Sequence, residues 1–359
     1  MIEPFSLPLS SPLATAAGTI ERREGFLVGY EHRGVTGVGE ATPLVGWTEP
    51  LDECERALER ALAAGTGART GADGTHSEGL LALDADETPA ARHGFATTLL
   101  DADARADRIP LYRWFDADRR CDSVPANATI GDGIPDETAV AAEQAVEAGF
   151  DCLKVKVGAR DLDVDLERLR TVREAVGEGV TIRADANGAW GREAARRAFD
   201  EFAPLGVSYV EQPLPADDLT GLAALREGDS PIDVAVDESL VEHRVADVLD
   251  AGAADVLILK PMVLGGPGNA HTVAMRAREL GVEPVVTTTV DGVVARTAAV
   301  HVAAAIPDVR PCGLATADLL AEDLGPDPAP VEDGRITVPQ DAGLGLDFGL
   351  DDPDWRTGR

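Results

Sequence analysis

The feature that most constrains the fold is a regular alternation of short apolar segments with charged helical stretches, which begins at about Val124. This βα alternation predicts a parallel sheet or barrel, because consecutive parallel strands need a helical crossover between them. Eight such segments occur, and eight strands are enough to close a barrel. They are VPANATI from 124, CLKVKVG from 152, VTIRADA from 180, VSYVEQP from 207, DVAVDES from 233, DVLILKP from 255, PVVTTTV from 284 and VRPCGLA from 309.

Polar residues stand at the C-terminal ends of these segments. Along the chain, the first five are separated by 29, 26, 26 and 23 residues, and each spacing suits one strand, one helix and two short loops. Because parallel barrel strands all end on one rim, we expect the five side chains to meet there, where barrel enzymes place their chemistry. The five residues are Lys156, Asp185, Glu211, Asp237 and Lys260.

The first part of the chain predicts a different, α+β region. Residues 26–30 and 35–40 alternate between apolar and polar side chains, which indicates a β-hairpin. Helical patterns follow from Glu49 to Ala64 and from Ala90 to Arg105. Between them, residues 65–79 are rich in Gly, Ala, Thr and Ser, which indicates a solvent-exposed loop.

The composition is strongly acidic. Lys and Arg total 32 against 64 Asp and Glu, which gives a formal net charge of −32 and a pI near 4.4. Such a surface repels nucleic acid and anionic membranes, so neither is an expected partner. Concentrated salt would screen the self-repulsion, so the composition favours a halophilic cytoplasm. An ordinary acidic enzyme is the alternative interpretation.

Two further features bear on where the protein works. The N-terminal residues lack a basic start followed by an apolar run, and no uncharged stretch reaches transmembrane length. The four cysteines are far apart and form no CxxC pair, so neither a zinc site nor a disulfide framework is indicated. We therefore expect an unexported, cytoplasmic protein. The oligomeric state stays open, with a dimer or larger homo-oligomer as one outcome.

Lysine occurs at three positions only, and all three lie in predicted strands. Every other basic residue is arginine, which indicates that Lys154, Lys156 and Lys260 supply an amine that can lose its proton. Residues two apart on a strand face the same way, so Lys154 and Lys156 both point into the barrel, with Arg183 adding positive charge nearby. Crowded cations lower an amine pKa, which suits Lys156 as a general base. The alternative is an inward salt bridge to a neighbouring carboxylate.

Three carboxylates are predicted to share the rim with these lysines. Asp185, Glu211 and Asp237 end three consecutive strands, and they would repel one another unless a cation lay between them. All-oxygen ligation favours Mg²⁺ over zinc, with Mn²⁺ as an alternative. Asn187 and Glu238 are candidates for orienting the ligands. The alternative interpretation is that the carboxylates only cap helices.

Lys156 and Lys260, at opposite sides of this predicted cluster of lysines and carboxylates, indicate a reaction. Lys260 leaves its strand on the far side of the barrel from Lys156, so the two should face each other across a small-molecule carboxylate substrate. A metal ion and the lysines would stabilise charge on that carboxylate, while one lysine removes the neighbouring proton and Lys260 acts as a second acid or base or as an electrostatic partner. A non-catalytic scaffold and a Schiff-base aldolase are the alternatives, but the first predicts gaps in the constellation and the second gives no reason for three carboxylates.

The motifs at these positions resemble those of the enolase superfamily. LKVKVG is similar to the lysine pair of its muconate-lactonizing subgroup, in which the second lysine is the base. ADANGAW, VEQPL and VDES resemble its three metal-ligand segments, and LILKP carries the opposing lysine. The resemblance implies an α/β fold, with a modified TIM barrel, (β/α)7β, over residues 119–319. It also implies an α+β capping domain formed by residues 1–118 and completed by 320–359, and a lysine base working with Mg²⁺.

Within this subgroup, PFSLPLSSPL, GVGEATPLVGW and VPANATIG resemble segments of the o-succinylbenzoate synthases, which are lyases of menaquinone biosynthesis. The resemblance implies that Lys156 removes the proton α to the carboxylate of 2-succinyl-6-hydroxy-2,4-cyclohexadiene-1-carboxylate, after which water leaves and the ring becomes aromatic. Muconate cycloisomerases, N-acylamino-acid racemases and dipeptide epimerases use the same enediolate chemistry, so they stay open as alternatives.

Substrate choice in this family comes largely from loops of the cap. Here these are Thr15 to Glu24 and the segment GEATPLVGWTEP, in which Trp47 is interpreted either as a wall of the pocket or as a core residue. Dipeptide epimerases usually show Asp-x-Asp near strand seven to hold the substrate amine. This chain has Thr287-Thr288-Thr289-Val290-Asp291 there, which is not typical of that group.

Overall fold

The computed structural model describes residues 1–15, 18–65 and 78–347, and it begins with an antiparallel sheet. The strands, in the order β1-β2-β3, are β1 Ile2–Thr15, β2 Gly18–His32 and β3 Val35–Ala41. Arg33 (φ 53°) and Gly34 (φ 76°) join β2 to β3 in a left-handed turn, which suits the twist of a hairpin. The hairpin predicted over residues 26–40 is confirmed.

Strand β1 was not predicted, because its sequence contains Pro4, Pro8 and Pro12. Proline lacks the N–H group that a central strand needs, but it is tolerated at the edge of a sheet. β1 is such an edge strand, and its register shifts between Pro8 and Leu13.

Four helices follow the sheet: α1 Leu51–Ala64, α2 Glu78–Leu81, α3 Pro89–Asp107 and α4 Tyr112–Phe115. α1 and α3 confirm the two predicted helices to within two residues. α3 lies directly on the backbone of β3: a Cβ added at Gly37 would stand 2.0 Å from the Thr98 carbonyl oxygen, and one at Gly39 would stand 2.0 Å from that of Gly94. The glycines of β3 therefore permit this close contact.

The first predicted barrel segment, from Val124, divides into two strands, β4 Ser123–Pro125 and β5 Ala128–Ile130. The prediction of one strand there is wrong, because only β5 joins the parallel sheet. The other strands of that sheet are β6 Cys152–Lys156, β7 Thr181–Asp185, β8 Val207–Glu211, β9 Asp233–Val236, β10 Val256–Leu259 and β11 Glu283–Val286. The strands lie in sequence order from β5 to β11, so each pairs with its neighbours along the chain.

Helices separate these strands, as the alternation predicted. They are α5 Pro135–Glu147, α6 Leu162–Val176, α7 Arg192–Phe202, α8 Leu219–Arg226, α9 Ser239–Glu242, α10 Val245–Asp250, α11 Pro267–Glu279 and α12 Val293–Ala305. All residues of α12 are buried, because it packs against β11 of the parallel sheet and also against β3 and α3. α12 therefore lies between the two sheets.

The eighth predicted segment links the two edges of the parallel sheet. Cys312 forms a parallel bridge with Ala126 before β5, and Gly313 forms one with Thr287 after β11. The Gly313 N–H donates to the Val286 carbonyl oxygen at 2.9 Å. The sheet thereby closes on itself, although the paired part of this segment is shorter than the predicted strand.

The C-terminal segment returns to the first sheet. Two short strands, β12 Val331–Glu332 and β13 Arg335–Thr337, form a small antiparallel sheet with β4. Leu320 and Leu344 share an apolar cluster with Leu7 and Leu27 of the first sheet, as expected if the tail completes the N-terminal region. The domain boundaries at 118/119 and 319/320 stay predictions, and most of the predicted loop at 65–79 lies outside the described residues.

The described residues include no helix long and apolar enough to cross a membrane. All four cysteines are free thiols: Cys54, Cys152 and Cys312 are buried and Cys121 is half-buried.

His301 on α12 is a buried core histidine. Its Nδ1 accepts the Tyr112 N–H at 3.3 Å, and its Nε2 lies 3.2 Å from the Leu344 carbonyl oxygen. Both ring nitrogens are thus satisfied when the ring is neutral. Burial lowers the pKa of His301 to about 4, although the Leu344 carbonyl partly opposes this shift.

This lowered pKa makes stability depend on pH. Between about pH 6.5 and pH 4 the unfolded histidine binds a proton that the folded one does not, so the free energy of unfolding should fall by up to about 3 kcal/mol as the pH drops through this window. Urea unfolding of the parent and of His301→Gln at several pH values measures the difference. The variant should lack this part of the pH dependence, whereas a His243→Gln control should keep it. Identical profiles for the parent and His301→Gln would contradict the assignment.

Candidate active site

Polar side chains from five consecutive strands meet at the C-terminal end of the parallel sheet. Lys156, Asp185 and Glu211 stand side by side in register at the ends of β6, β7 and β8. Asp237 and Lys260 directly follow β9 and β10. The three carboxylate residues are at most 5% exposed and Lys260 is 9% exposed, whereas the Lys156 side chain is 35% exposed, so the predicted base lies at the open side of an otherwise buried cluster.

The lysines and carboxylates of this cluster are paired. The Lys154 ammonium lies 3.0 Å from Oε1 of Glu211 and 3.0 Å from Oδ2 of Asp185. Lys156 donates to the same Asp185 oxygen at 2.6 Å, so the inward salt bridge considered for Lys156 is present. On the other side, Lys260 contacts both carboxylate oxygens of Asp237. Each of the three carboxylates therefore contacts at least one ammonium group.

The electrostatics are most favourable around Asp185. Burial by itself would raise the pKa of Asp185, but the ammonium groups of Lys154 and Lys156 outweigh it and hold the pKa well below its usual range. Burial likewise opposes the charge on Lys154, but Asp185 and Glu211 raise the pKa of this amine well above its ordinary value. Lys154 is therefore a fixed cation between two carboxylates.

The positive charge near Glu211 and Asp237 does not offset the cost of burying their carboxylates. Burial raises the pKa of Glu211, and the negative charge of Asp185 adds to the effect. Burial also raises the pKa of Asp237, with Glu238 adding to the shift and Lys260 opposing it. A further cation at this point would favour the ionised form of both acids.

The donor set suits a hard divalent cation. Asp185, Glu211 and Asp237 present carboxylate oxygens only, and one oxygen of the nearby Glu238 is buried without a hydrogen-bond partner among the described residues. In the described part of the chain no group of three or more His, Cys, Asp or Glu residues is arranged to hold a metal ion, and lysines contact all three carboxylates. These residues fit Mg²⁺ by their chemistry once the lysines give way.

Asn187 and Glu238 connect the two sides of the cluster. Asn187 accepts from Lys156 at 3.0 Å through its side-chain oxygen and donates to Glu238 at 3.0 Å through its side-chain nitrogen. Its backbone is left-handed (φ 44°), which turns the side chain back towards the end of β7. The structure thus places Asn187 against Lys156, and Glu238 against Asn187.

Gln212 is a supporting residue that the sequence analysis missed. Its side-chain oxygen accepts from the backbone N–H groups of Asp237 at 3.0 Å and Ser239 at 3.1 Å. Its own backbone is left-handed (φ 39°) and its side chain is buried. Gln212 therefore fixes the backbone on which Asp237 stands. The only sequence signal was a polar amide directly after Glu211.

Arg183 belongs to the predicted set, but its hydrogen bonds go elsewhere. Its guanidinium donates to the Asn127 side-chain oxygen at 3.3 Å and to the Pro311 carbonyl oxygen at 2.6 Å. It also lies over the Tyr209 ring, 4.7 Å from the centroid. Arg183 therefore contributes positive charge to the barrel interior without pairing to the three carboxylates in these contacts.

Trp47 lies against the site, in keeping with the interpretation of this residue as a wall of the pocket. The Lys260 ammonium stands 3.6 Å from the centroid of the Trp47 ring, which is cation–π geometry. The other predicted specificity segment, Thr15 to Glu24, comprises the last residue of β1 and the first seven residues of β2, and its residues 16 and 17 fall outside the described part of the chain.

Comparisons with known proteins identify the family of the chain. Residues 137–352 match the family described as enolase C-terminal domain-like. The chain belongs to the enolase superfamily. It is 31% identical over 354 residues to the L-Ala-D/L-Glu epimerase of Bacillus subtilis, a match that covers 95% of this chain and 94% of the epimerase. Enzymatic activity and an α/β fold of the enolase type follow from this membership.

Two further relatives extend the comparison. The o-succinylbenzoate synthase of Thermobifida fusca is 38% identical over 213 residues, which cover 58% of this chain and 64% of that protein. The dipeptide epimerase of Enterococcus faecalis, solved with Mg and the dipeptide L-Leu-L-Tyr, superposes with a TM-score of 0.84 at 26% identity, covering 96% of this chain and 98% of that one. The superfamily enzymes similar to this chain thus include both lyases and epimerases.

The Trp47 contact should matter for activity. Trp47→Leu removes the aromatic face against Lys260, so we expect kcat/KM to fall about tenfold, whereas Trp47→Phe should stay closer to the parent. Steady-state kinetics of the three proteins, each checked for folding by circular dichroism, measures the effect. A Leu variant with the kcat and KM of the parent would show that the contact has no functional role.

Proposed function

We propose that the protein is a Mg²⁺-dependent lyase that dehydrates 2-succinyl-6-hydroxy-2,4-cyclohexadiene-1-carboxylate to 2-succinylbenzoate, the synthase step of menaquinone biosynthesis, in a salt-rich cytoplasm. Superfamily membership supports proton abstraction next to a carboxylate. The similarity to the Thermobifida synthase supports the lyase reaction. We further interpret the closed sheet as a (β/α)7β barrel under a cap formed by the first sheet and the C-terminal segment.

The choice of substrate rests on the rim after β11. This rim carries the hydroxyl groups of Thr287, Thr288 and Thr289, and the Thr288 hydroxyl lies 3.2 Å from the Thr316 hydroxyl. Thr287 donates its hydroxyl hydrogen to the Gly313 carbonyl oxygen and Thr289 donates its own to Asp291, so Thr288 is the threonine of this rim whose hydroxyl can donate to a substrate carboxylate. Hydroxyl groups offer no charge to a substrate ammonium. The rim therefore suits a dicarboxylate without an amine.

The single acid of this rim is already engaged. Asp291 is 2% exposed, accepts a hydrogen bond from the Thr289 hydroxyl and lies 4.0 Å from the Arg23 guanidinium. A substrate amine would have to displace both partners in order to pair with Asp291. This bonding is the observation that carries the proposal of a lyase over a dipeptide epimerase.

In the proposed mechanism Lys156, as the neutral amine, takes the proton α to the substrate carboxylate. Mg²⁺ held by Asp185, Glu211 and Asp237 would stabilise the negative charge that develops on the carboxylate oxygens. The enediolate then expels the ring hydroxyl group, and the ammonium of Lys156 returns its proton so that water leaves and the amine is regenerated. Lys260, beneath Trp47, acts as a fixed cation.

Epimerisation of an amino-acid derivative is the second candidate. It is favoured by the near-complete alignment with the Bacillus epimerase and by the placement of Lys156 and Lys260 on opposite sides of the three carboxylates. An epimerase needs a base on each face of the substrate, and two lysines would supply them. Cycloisomerisation of a muconate-type acid uses the same residues.

The decisive experiment follows the absorbance of the cyclohexadiene substrate in concentrated salt. We expect rapid loss of absorbance with Mg²⁺, a fall of at least about tenfold after chelation, and recovery when Mg²⁺ is added back. If the folded protein leaves the substrate unchanged, the lyase proposal fails. Deuterium exchange from solvent into N-acylamino acids and dipeptides then tests the second candidate.

Lys156 should be indispensable for proton removal. Lys156→Ala should lower kcat by about a thousandfold or more, and Lys156→Arg should be nearly as damaging, because arginine keeps the charge but cannot act as the base. Arg170→Ala, which removes an exposed cation from α6, is the matched control and should keep full activity. Kinetics and solvent deuterium exchange measure the effect, and a fully active Lys156→Arg variant would exclude Lys156 as the base.

A further inference from the structure

The turn after β11 contains a strained residue. Val290 has φ 62°, a left-handed conformation that is a genuine outlier for a β-branched side chain. Strain of this kind persists only where surrounding contacts determine it, and it gathers at functional sites. Val290 directly follows the threonines of the proposed substrate rim, so its conformation decides where their hydroxyl groups stand.

The Thr289 hydroxyl donates to Asp291 within the turn, but that bond joins two side chains, and the backbone N–H groups of the turn are held only weakly. The Val290 N–H donates to the Thr288 hydroxyl at 3.3 Å, and the Thr289 N–H donates to Asp291 at 3.4 Å. Both distances are at the long end for such bonds. The conformation therefore depends on groups from outside the turn.

Arg23 of β2 supplies the missing contacts. Its Nε donates to the Val290 carbonyl oxygen at 3.1 Å, across 267 residues of sequence. Its two terminal nitrogens donate to the carbonyl oxygens of Pro43 at 3.2 Å and Thr42 at 2.8 Å. The side chain is 2% exposed. One guanidinium thus ties the strained turn to the backbone after β3, a fork geometry that lysine cannot reproduce.

The residues on the other side of the turn are held separately. Glu40 of β3 accepts from the N–H groups of Gly292 at 2.7 Å and Ala295 at 2.9 Å, at the start of α12. A Cβ at Gly292 would stand 2.9 Å from a Glu40 oxygen, so glycine is needed for this contact. Glu40 therefore holds α12 through hydrogen bonds of its own, which Arg23 does not share, although the buried charges of Glu40 and Arg23 attract each other.

We propose that Arg23 is a positioning residue that holds the left-handed turn at Val290 and thereby sets the hydroxyl group of Thr288, which accepts from the Val290 N–H, against the substrate. This inference rests on the proposed function in one respect, namely that the rim after β11 contacts the substrate. Arg23 does not act as a substrate ligand, because all its hydrogen bonds here go to backbone carbonyl oxygens and its side chain is buried.

The test combines Arg23→Gln with Val290→Gly. Arg23→Gln releases the turn, so kcat/KM should fall about ten- to a hundredfold. Glycine adopts a positive φ without strain, so Val290→Gly alone should stay near the parent, and the double variant should recover most of the loss. Arg56→Gln is the control, because Arg56 is an exposed arginine of α1 that pairs with Asp52 and lies outside the predicted specificity segments, and its activity should not change. Arg23→Lys carries the test if Arg23→Gln does not fold.

Hydrogen–deuterium exchange provides a readout that needs no substrate. In Arg23→Gln, the amides of Thr289 and Val290 should exchange faster, and those of Gly292 and Ala295, held by Glu40, should keep their protection. The double variant should restore slow exchange at the turn. Kinetics are measured on whichever acid the parent turns over, so failure of the synthase assay leaves this test intact.

Three results would overturn the proposal. Faster exchange throughout β1 to β3 would give Arg23 a general structural role. Loss of kcat/KM without rescue by Val290→Gly would indicate direct contact between Arg23 and the substrate. If Arg23→Gln showed faster amide exchange at the turn alone and kept the kcat/KM of the parent, the turn would position no group that the reaction needs.

Discussion

The mutual neutralisation of buried charges at the ends of β6 to β10 is the interaction on which the rest of the structure depends. Carboxylates and ammonium groups removed from water are costly unless each meets an opposite charge. Lys154 bridges Asp185 and Glu211, and Lys260 pairs with Asp237. Such pairing requires strand ends at one level, which a closed parallel sheet with regular crossovers provides. The barrel therefore makes it possible to bury this charge.

Superfamily membership indicates the chemistry of the enzyme, and the residues that we propose to position the substrate come from parts of the chain outside this cluster. Trp47 covers Lys260 from the segment after β3, and Arg23 reaches the β11 turn from β2. Glu40 of β3 anchors the start of α12. The N-terminal sheet is thus an integral part of the proposed site. This division explains how one set of catalytic groups serves several reactions in related enzymes.

Much of the fold could be predicted because its signals are local. The alternation of apolar and charged segments located the parallel strands, and the lysines and carboxylates were identified from their spacing. The errors arose where pairing overrides local pattern. β1 forms despite its prolines because it lies at an edge, and the segment at Val124 divides because β4 pairs with β13, about 210 residues later in the chain. The eighth strand is short because its pairing with the edges of the parallel sheet is confined to two residues: Cys312 bridges to Ala126, and Gly313 bridges to Thr287.

The sequence by itself determined which residues form the charged cluster, because strand periodicity and crossover length bring Lys156, Asp185 and Glu211 to one rim. Only the tertiary structure decided how they are supported. Gln212 orients Asp237 through a left-handed backbone, and Arg23 holds Val290 in a strained one. Backbone conformation and hydrogen bonds across hundreds of residues have no periodic signature, since they are set by packing between segments that fold against each other.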